Sequence, residues 1–320
     1  MPFRRNVCQW ILVLTLLLAG CGQAVQSPPT ATPVPATGSA PEATAQPENT
    51  PPPTAERPLA ARVNGQPVYL VDYERRVAQY EAAMVAAGED FSTAEGQTRL
   101  LQERGRILNG MVEQVLIEQA AAGMGIMVAD EQVDAELAQI IESGSEATFA
   151  AWLEQNGMTR QDAWNELRAG LIGAAATQQV IDPIPETSEQ VHARHILVDT
   201  REEAERILAQ LQANGDFAEL ARTYSQDENT RENGGDLGFF PRGVLMSPEV
   251  EDAAFGLQPG QVSGVVESAF GFHIVQVVER EPNLPLSEES LRFLRERTLN
   301  EWKEALWATA TIEWFVNPVP

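Results

Sequence analysis

Residues 191–198 and 272–279 read as two strands lying far apart in the chain, each with a histidine among branched and aromatic apolar neighbours: His195-Ile196-Leu197-Val198 in the first, Gly271-Phe272-His273-Ile274-Val275 in the second. Between them the pattern turns helical. Thr200-Arg201-Glu202-Glu203 is a capping box ahead of Ala204, Ile207, Leu208 and Leu211, and Asn214-Gly215 stops that helix. Asp216 with Glu219 opens a second helix through Phe217, Leu220, Ala221 and Tyr224. Ser247-Pro248 supplies a cap and a first-turn proline for a third, which carries Val250, Ala253 and Ala254. After the Pro259-Gly260 turn, residues 262–266 form a strand before the last run. Strand, helices, strand, strand makes an α+β layer, too small for a doubly wound sheet.

Upstream, the helical period dominates. Asn64-Gly65 supplies the left-handed turn of a small hairpin, residues 61–69, and Asp72 can cap a helix with Tyr73, Val77, Tyr80 and Met84 on one side. Leu101, Ile107, Leu108, Met111, Val112, Val115 and Leu116 mark a long central helix ended by Gly123 and Gly125. Asp130 starts another with Val133, Leu137, Ile140 and Ile141; Phe149, Trp152 and Leu153 mark a short one, and Thr159 with Asp162 opens the last. No polar cluster suited to chemistry appears in this segment. Asp182-Pro183-Ile184-Pro185 breaks the pattern, so the expected divisions are a helical domain at 59–185, a mixed domain at 186–282, and a C-terminal helix at 283–320 that returns to the helical domain.

The chain opens with Arg4 and Arg5, an apolar run over residues 10–18, and Leu18-Ala19-Gly20-Cys21. A charged start, a short apolar stretch and small residues before a cut make a secretory signal, expected at 1–20. Leu-Ala-Gly-Cys resembles the lipobox of bacterial lipoproteins, which implies acylation of Cys21 and an extracytoplasmic protein lipid-anchored to the cell membrane. Cys8 is removed with the signal, so the mature chain has no second thiol for a disulfide or a thiolate metal site. Residues 21–58 are rich in Pro, Ala, Thr and Ser, with almost no large apolar side chain, and are expected to form a disordered, extended tether. The formal charge is -24 and the single lysine is Lys303, which argues against nucleic acid and favours basic or neutral partners.

His195 shares its strand face with Val191, Ala193 and Leu197, and His273 shares its own with Val275 and Val277. If the strands are neighbours the two rings meet, one nitrogen donating and the other accepting; a satisfied structural pair is the alternative. His192 points to the other side. Asp227 follows the second helix in a loop where an aspartate is ordinarily a turn-former. Zinc on two histidines and an aspartate is conceivable, but both imidazoles lie within strands and no His-x-His or His-x-x-x-His spacing supports it, so no metal and no cofactor is expected. Gly234-Gly235-Asp236-Leu237-Gly238-Phe239-Phe240 lacks the Lys-Ser or Lys-Thr of a phosphate loop; its glycines suit a bend presenting Leu237 and Phe240, which Met246 and Val250 can complete as an apolar pocket. A small apolar ring such as proline fits beside one carboxylate and two neutral imidazoles.

Five ordered motifs resemble the parvulin family of peptidyl-prolyl isomerases: His-Ile-Leu-Val at 195–198, Tyr-Ser-Gln-Asp at 224–227, Gly-Gly-Asp-Leu-Gly-Phe-Phe at 234–240, Glu-Asp-Ala-Ala-Phe at 251–255 and Gly-Phe-His-Ile-Val at 271–275. The resemblance implies a four-stranded antiparallel sheet with helices and a catalytic group of His195, Asp227 and His273 with the supporting hydroxyl of Ser268. It places the proline ring on Leu237, Met246 and Val250, with Phe240 beside it. Two departures stand out: the position commonly held by Phe is Val250, and the loop 242–247 is one residue longer, which leaves Leu245 and Met246 as alternatives. The basic loop of phosphate-directed members is replaced by Asp199-Thr200-Arg201-Glu202-Glu203, so no phosphoserine or phosphothreonine is expected before the proline. Residues 59–181 resemble the all-helical chaperone domain of PrsA/SurA-like extracytoplasmic foldases. The function implied is isomerisation of X-Pro bonds in unfolded or newly secreted polypeptides, with a holdase carrying a weak or inactive isomerase domain as the alternative; homodimerisation through the helical domain stays open, with no coiled-coil heptad to support it.

Overall fold

A computed structural model of the protein describes residues 57–317; the expected signal at 1–20, Cys21 and the tether up to residue 56 lie outside the described residues. These residues divide into two compact units, one within 57–176 together with 305–317, the other Thr177–Glu304.

In the first unit, β1 (Leu59–Val63) and β2 (Gln66–Tyr69) form the expected hairpin, with Asn64 and Gly65 at φ 50 and 87 supplying the left-handed turn. The helices are α1 (Leu70–Ala86), α2 (Ala94–Gly123), α3 (Asp130–Ser143), α4 (Glu146–Gln155) and α5 (Arg160–Ile181). Asp72 does not cap α1, which starts two residues earlier; it sits in the first turn, where a carboxylate still favours the positive helix end, and bonds Arg75 at 2.9 Å. The unit is largely helical rather than wholly so. A strand from the far end of the chain, Ile312–Trp314, pairs antiparallel with β1 and completes a three-stranded sheet. Ala61, Val63, Leu108 and Val112 are fully buried around this sheet, with Leu306, Trp307 and Trp314 packed against them. A second cluster, Val133, Leu137, Phe149 and Leu167, joins α3 to α5.

The chain passes between the two compact units at 176/177 and 304/305, beside the expected divisions at 185/186 and 282/283. Pro183 and Pro185 follow the end of α5, but its last turn, from Thr177, already belongs to the second unit, and α9 (Glu288–Thr309) changes unit at residues 304/305. Prolines mark where a helix stops, which need not be where its packing partners change.

The second unit is a four-stranded antiparallel sheet in the order β4-β3-β6-β5, built from β3 (Thr187–Val198), β4 (Asp236–Pro241), β5 (Val266–Ser268) and β6 (Gly271–Pro285). The glycine-rich bend is thus an edge strand, and the expected strand at 262–266 is reduced to β5 and a single bridge from Val262 to Gln276. Two helices, α6 (Arg201–Gln212) and α7 (Phe217–Tyr224), cover the face of Ile196, Val198 and Ile274. The helix α8 (Pro248–Gly256) covers the other, against Val191, Ala193, Val275 and Val277. Each start follows its sequence signal: Thr200 accepts from Glu203 N, Asp216 from Glu219 N and Ser247 from Val250 N.

Ile196 is wholly buried between β3 and the helices α6 and α7. Ile196→Ala is expected to cost about 2–5 kcal/mol and Ile196→Val about 0.5–1.5 kcal/mol in denaturant unfolding of the second unit. Equal midpoints for the two variants would contradict this packing.

Candidate active site

The register of the two central strands brings the histidines together. His195 stands opposite Val275 and His273 opposite Leu197, so the rings are diagonal neighbours on one face. Their Nδ1 atoms are 3.2 Å apart and their centroids 5.4 Å, with the planes 19° from parallel. Both residues are buried, at 7% and 3% exposure.

From this pair a line of polar groups runs in both directions. His195 Nε2 lies 2.8 Å from Asp227 Oδ2 and 3.2 Å from Thr230 Oγ1, while His273 Nε2 lies 2.7 Å from Ser268 Oγ. Thr230 Oγ1 donates to Asp227 Oδ2 at 2.5 Å, and the Asn229 N–H donates to Oδ1. Burial works to raise the Asp227 carboxyl, but the hydroxyl of Thr230, the His195 ring and the Asn229 N–H outweigh it and hold the group below the usual carboxylate range. An ionised Asp227 only accepts, which assigns the proton of His195 to Nε2. Its Nδ1 then accepts from His273 Nδ1–H, and His273 Nε2 accepts from Ser268 Oγ–H. All the bonds can be made at once only with this direction while both rings stay neutral. Burial first, and repulsion by His195 second, push His273 down from 6.5 to about 4, against the pull of Asp227 and Glu249.

The loop that carries Asp227 is fastened to the strand. Ser225 Oγ accepts from Leu197 N and Asp227 N, and Gln226 N donates to Leu197 O at 2.7 Å. Gly235, at φ 80, accepts from His195 N; a Cβ there would stand 2.0 Å from the His195 carbonyl oxygen, so no other residue fits. Pairing of β3 with β4 shifts between Ala193 and Arg194, a bulge that leaves Leu237 without a partner. His192 faces away, bonded to Asp236 at 2.7 Å and packed on Phe239.

The expected apolar residues are brought together except for one. Phe240 and Val250 are buried at 4% and 3% exposure in one cluster with Phe255 and Val275, and Leu237 packs against it half-exposed. Met246, immediately before the α8 cap at Ser247, is 82% exposed, and Leu245 packs on the cluster instead. The sequence reading missed Thr230 and Ser225. The Asp-x-x-Thr spacing at 227–230, a local hydroxyl–carboxylate pair of the kind that closes turns, was the signal for the first. Among the described residues no group of three or more His, Cys, Asp or Glu side chains is placed to hold a metal.

A paired-histidine sheet with a flanking carboxylate and an apolar cluster defines a class, and sequence comparison agrees with it. Residues 179–279 match the profile of the PPIC-type peptidyl-prolyl isomerase (rotamase) domain and residues 44–176 that of the SurA-like N-terminal domain. The chain is therefore a parvulin-type peptidyl-prolyl isomerase joined to a foldase-type chaperone domain. It is 34% identical over 240 residues to the foldase protein PrsA of Halalkalibacterium halodurans, covering 68% of this chain and 71% of that one. Over 226 residues it is 31% identical to the foldase protein PrsA of Caldanaerobacter subterraneus subsp. tengcongensis, at 68% and 72% coverage. A crystal structure of the peptidylprolyl isomerase PrsA from Bacillus anthracis aligns at 29% identity with 63% of this chain and 94% of its own, with a TM-score of 0.41. The chain belongs to the PrsA foldase family.

The His273 ring is expected to remain neutral from pH 8 to pH 5 and to titrate near 4, as read from its ring nitrogens by NMR. In the unfolded chain it takes its proton near 6.5, so between 6.5 and about 4 the unfolded state holds more protons. Its contribution to stability is therefore whole above 6.5 and is lost as pH falls toward 4. A midpoint near 6.5 in the folded protein would refute the network.

Proposed function

We propose that His195, Asp227, His273 and Ser268 catalyse rotation about X-Pro bonds of unfolded or newly secreted polypeptides. The proline ring would rest on Leu237 and Leu245, above a floor of Phe240 and Val250. The observation that carries this reading is the directed line Ser268–His273–His195–Asp227 on the same sheet face as that apolar cluster. Rotation of the amide meets a barrier of about 18–20 kcal/mol because it breaks conjugation. No bond need form to the protein. The ring is held while the preceding carbonyl turns past the imidazole pair, and a polar site organised before substrate arrives stabilises the twisted amide more than either planar isomer. In this reading no phosphate is needed before the proline, in keeping with the acidic segment 199–203 and with the engagement of Arg201 by Glu267 at 2.7 Å.

The first unit supplies a chaperone surface in this reading. A cleft of about 340 Å³ is lined largely by charged and polar side chains, among them Arg75, Arg76, Asp162 and Glu166, with Met111 and Ile172, and in this reading it would take up polar, extended stretches of a client. Acylation of Cys21 would anchor the protein by its lipid outside the cytoplasm, in keeping with the lipobox-like Leu-Ala-Gly-Cys; among the described residues no helix is long and apolar enough to cross a membrane.

Asp227→Ala is expected to lower kcat/KM on a proline tetrapeptide at least tenfold, about 1.4 kcal/mol, with equal rates on Ala-Pro and phosphoserine-Pro peptides in the wild type. A folded wild-type protein with no rate above the uncatalysed one leaves the holdase reading, which suppression of client aggregation measures. Cys21→Ser is expected to move the protein from the membrane fraction to the soluble one; retention in membranes would argue for a different anchor.

A further inference from the structure

In the polar line from Ser268 to Asp227, Asp227 is the member carried by a loop, and its orientation rests on Thr230. The main chain of Thr230 is fixed first: its carbonyl accepts from Asn233 N at 3.0 Å and from Gly235 N at 2.9 Å, and the Gly235 carbonyl accepts from His195 N at 2.8 Å. Thr230 is thereby tied through two backbone hydrogen bonds to the strand residue whose ring its side chain meets. Its hydroxyl then donates to Asp227 Oδ2, the same oxygen that receives His195 Nε2–H, and lies within 3.2 Å of that nitrogen. With Asn229 N–H on Oδ1, both carboxylate oxygens of Asp227 are occupied by the protein.

We infer that Thr230 is a positioning residue: its hydroxyl holds Asp227 against His195 Nε2, fixes the proton of His195 on that nitrogen, and so sets the direction of every hydrogen bond through His273 to Ser268. Asp227 then acts through His195 and not by touching the turning amide. The inference rests on the reading of these residues as an X-Pro isomerase site. A hydroxyl is required here because the oxygen must donate to a carboxylate while sitting beside a ring N–H; a methyl of the same size cannot do so. Without the hydroxyl the carboxylate is free to swing toward solvent, and His195 can place its proton on either nitrogen.

The test compares Thr230→Val and Thr230→Ser in the full chain, with ring ¹⁵N spectra of His195 and His273 and isomerisation kinetics as separate measurements. Thr230→Val is expected to turn the single Nε2–H signature of His195 into a mixture of tautomers. It should also lower kcat about tenfold with KM unchanged, the loss of one hydrogen bond to a charged acceptor. Thr230→Ser is expected to keep both at wild-type values. A Thr230→Val protein with the His195 spectrum and kcat of the wild type would overturn the inference, as would a Ser variant as impaired as the Val one. If Val at 230 does not fold, Thr230→Ala is judged by the same two measurements. Should the wild type show no isomerisation, the reading of the site fails, while the tautomer of His195 still decides for or against the role of Thr230.

Discussion

The pairing of β3 with β6 is the constraint on which the second unit depends. Eleven residues of β3 have partners on β6, from Thr187 opposite Pro285 to Val198 opposite Phe272. That register decides three things together. It sets Ile196, Val198 and Ile274 toward α6 and α7, it sets Val191, Ala193, Val275 and Val277 toward α8, and it makes His195 and His273 diagonal neighbours. A slip of β3 by one residue would turn His195 to the face opposite His273 and bring branched side chains out of the core, so the cost of misplacing the site is the cost of losing the fold.

Around that rigid pair the remaining groups are held by short local devices. Gly235 lets the edge strand approach the His195 carbonyl, Ser225 ties the Asp227 loop to Leu197, and Thr230 closes the loop on the carboxylate. Buried polar groups are costly unless every one has a partner, and here the partners make a single line with one possible direction. The low proton affinity of His273 follows from the same burial and keeps that ring neutral at pH values well above 4. A neutral His273 ring in line with an ionised carboxylate suits a site that stabilises a twisted amide without covalent chemistry.

Much of this was legible in the residues. The helix starts at Thr200, Asp216 and Ser247 follow from local hydrogen bonds, which depend on neighbours a few positions away. Period-two patterning put each histidine on an apolar face, but that the two rings meet depended on their strands being neighbours. The choice between Leu245 and Met246 was not legible: Met246 is 82% exposed while Leu245 packs on the cluster, and chain order cannot say which of two adjacent apolar residues turns inward. Thr230 was hidden because a threonine in a polar loop has many ordinary uses, and only the fold brings its hydroxyl within 3.2 Å of a histidine on another element.

What the sequence by itself determined is the local part: an α+β layer bounded by two histidine strands, its caps and turns, and a largely helical segment before it, all written in spacings of two to four residues. What only the tertiary structure decided is the part made by distant residues: the strand Ile312–Trp314 completing a sheet with β1, the choice of Leu245 over Met246, and the closure of Thr230 on Asp227 and His195. The reason is physical. Local propensities act through hydrogen bonds that a short segment can make alone, whereas register, burial and the direction of a proton are set by partners that meet only after the chain has folded.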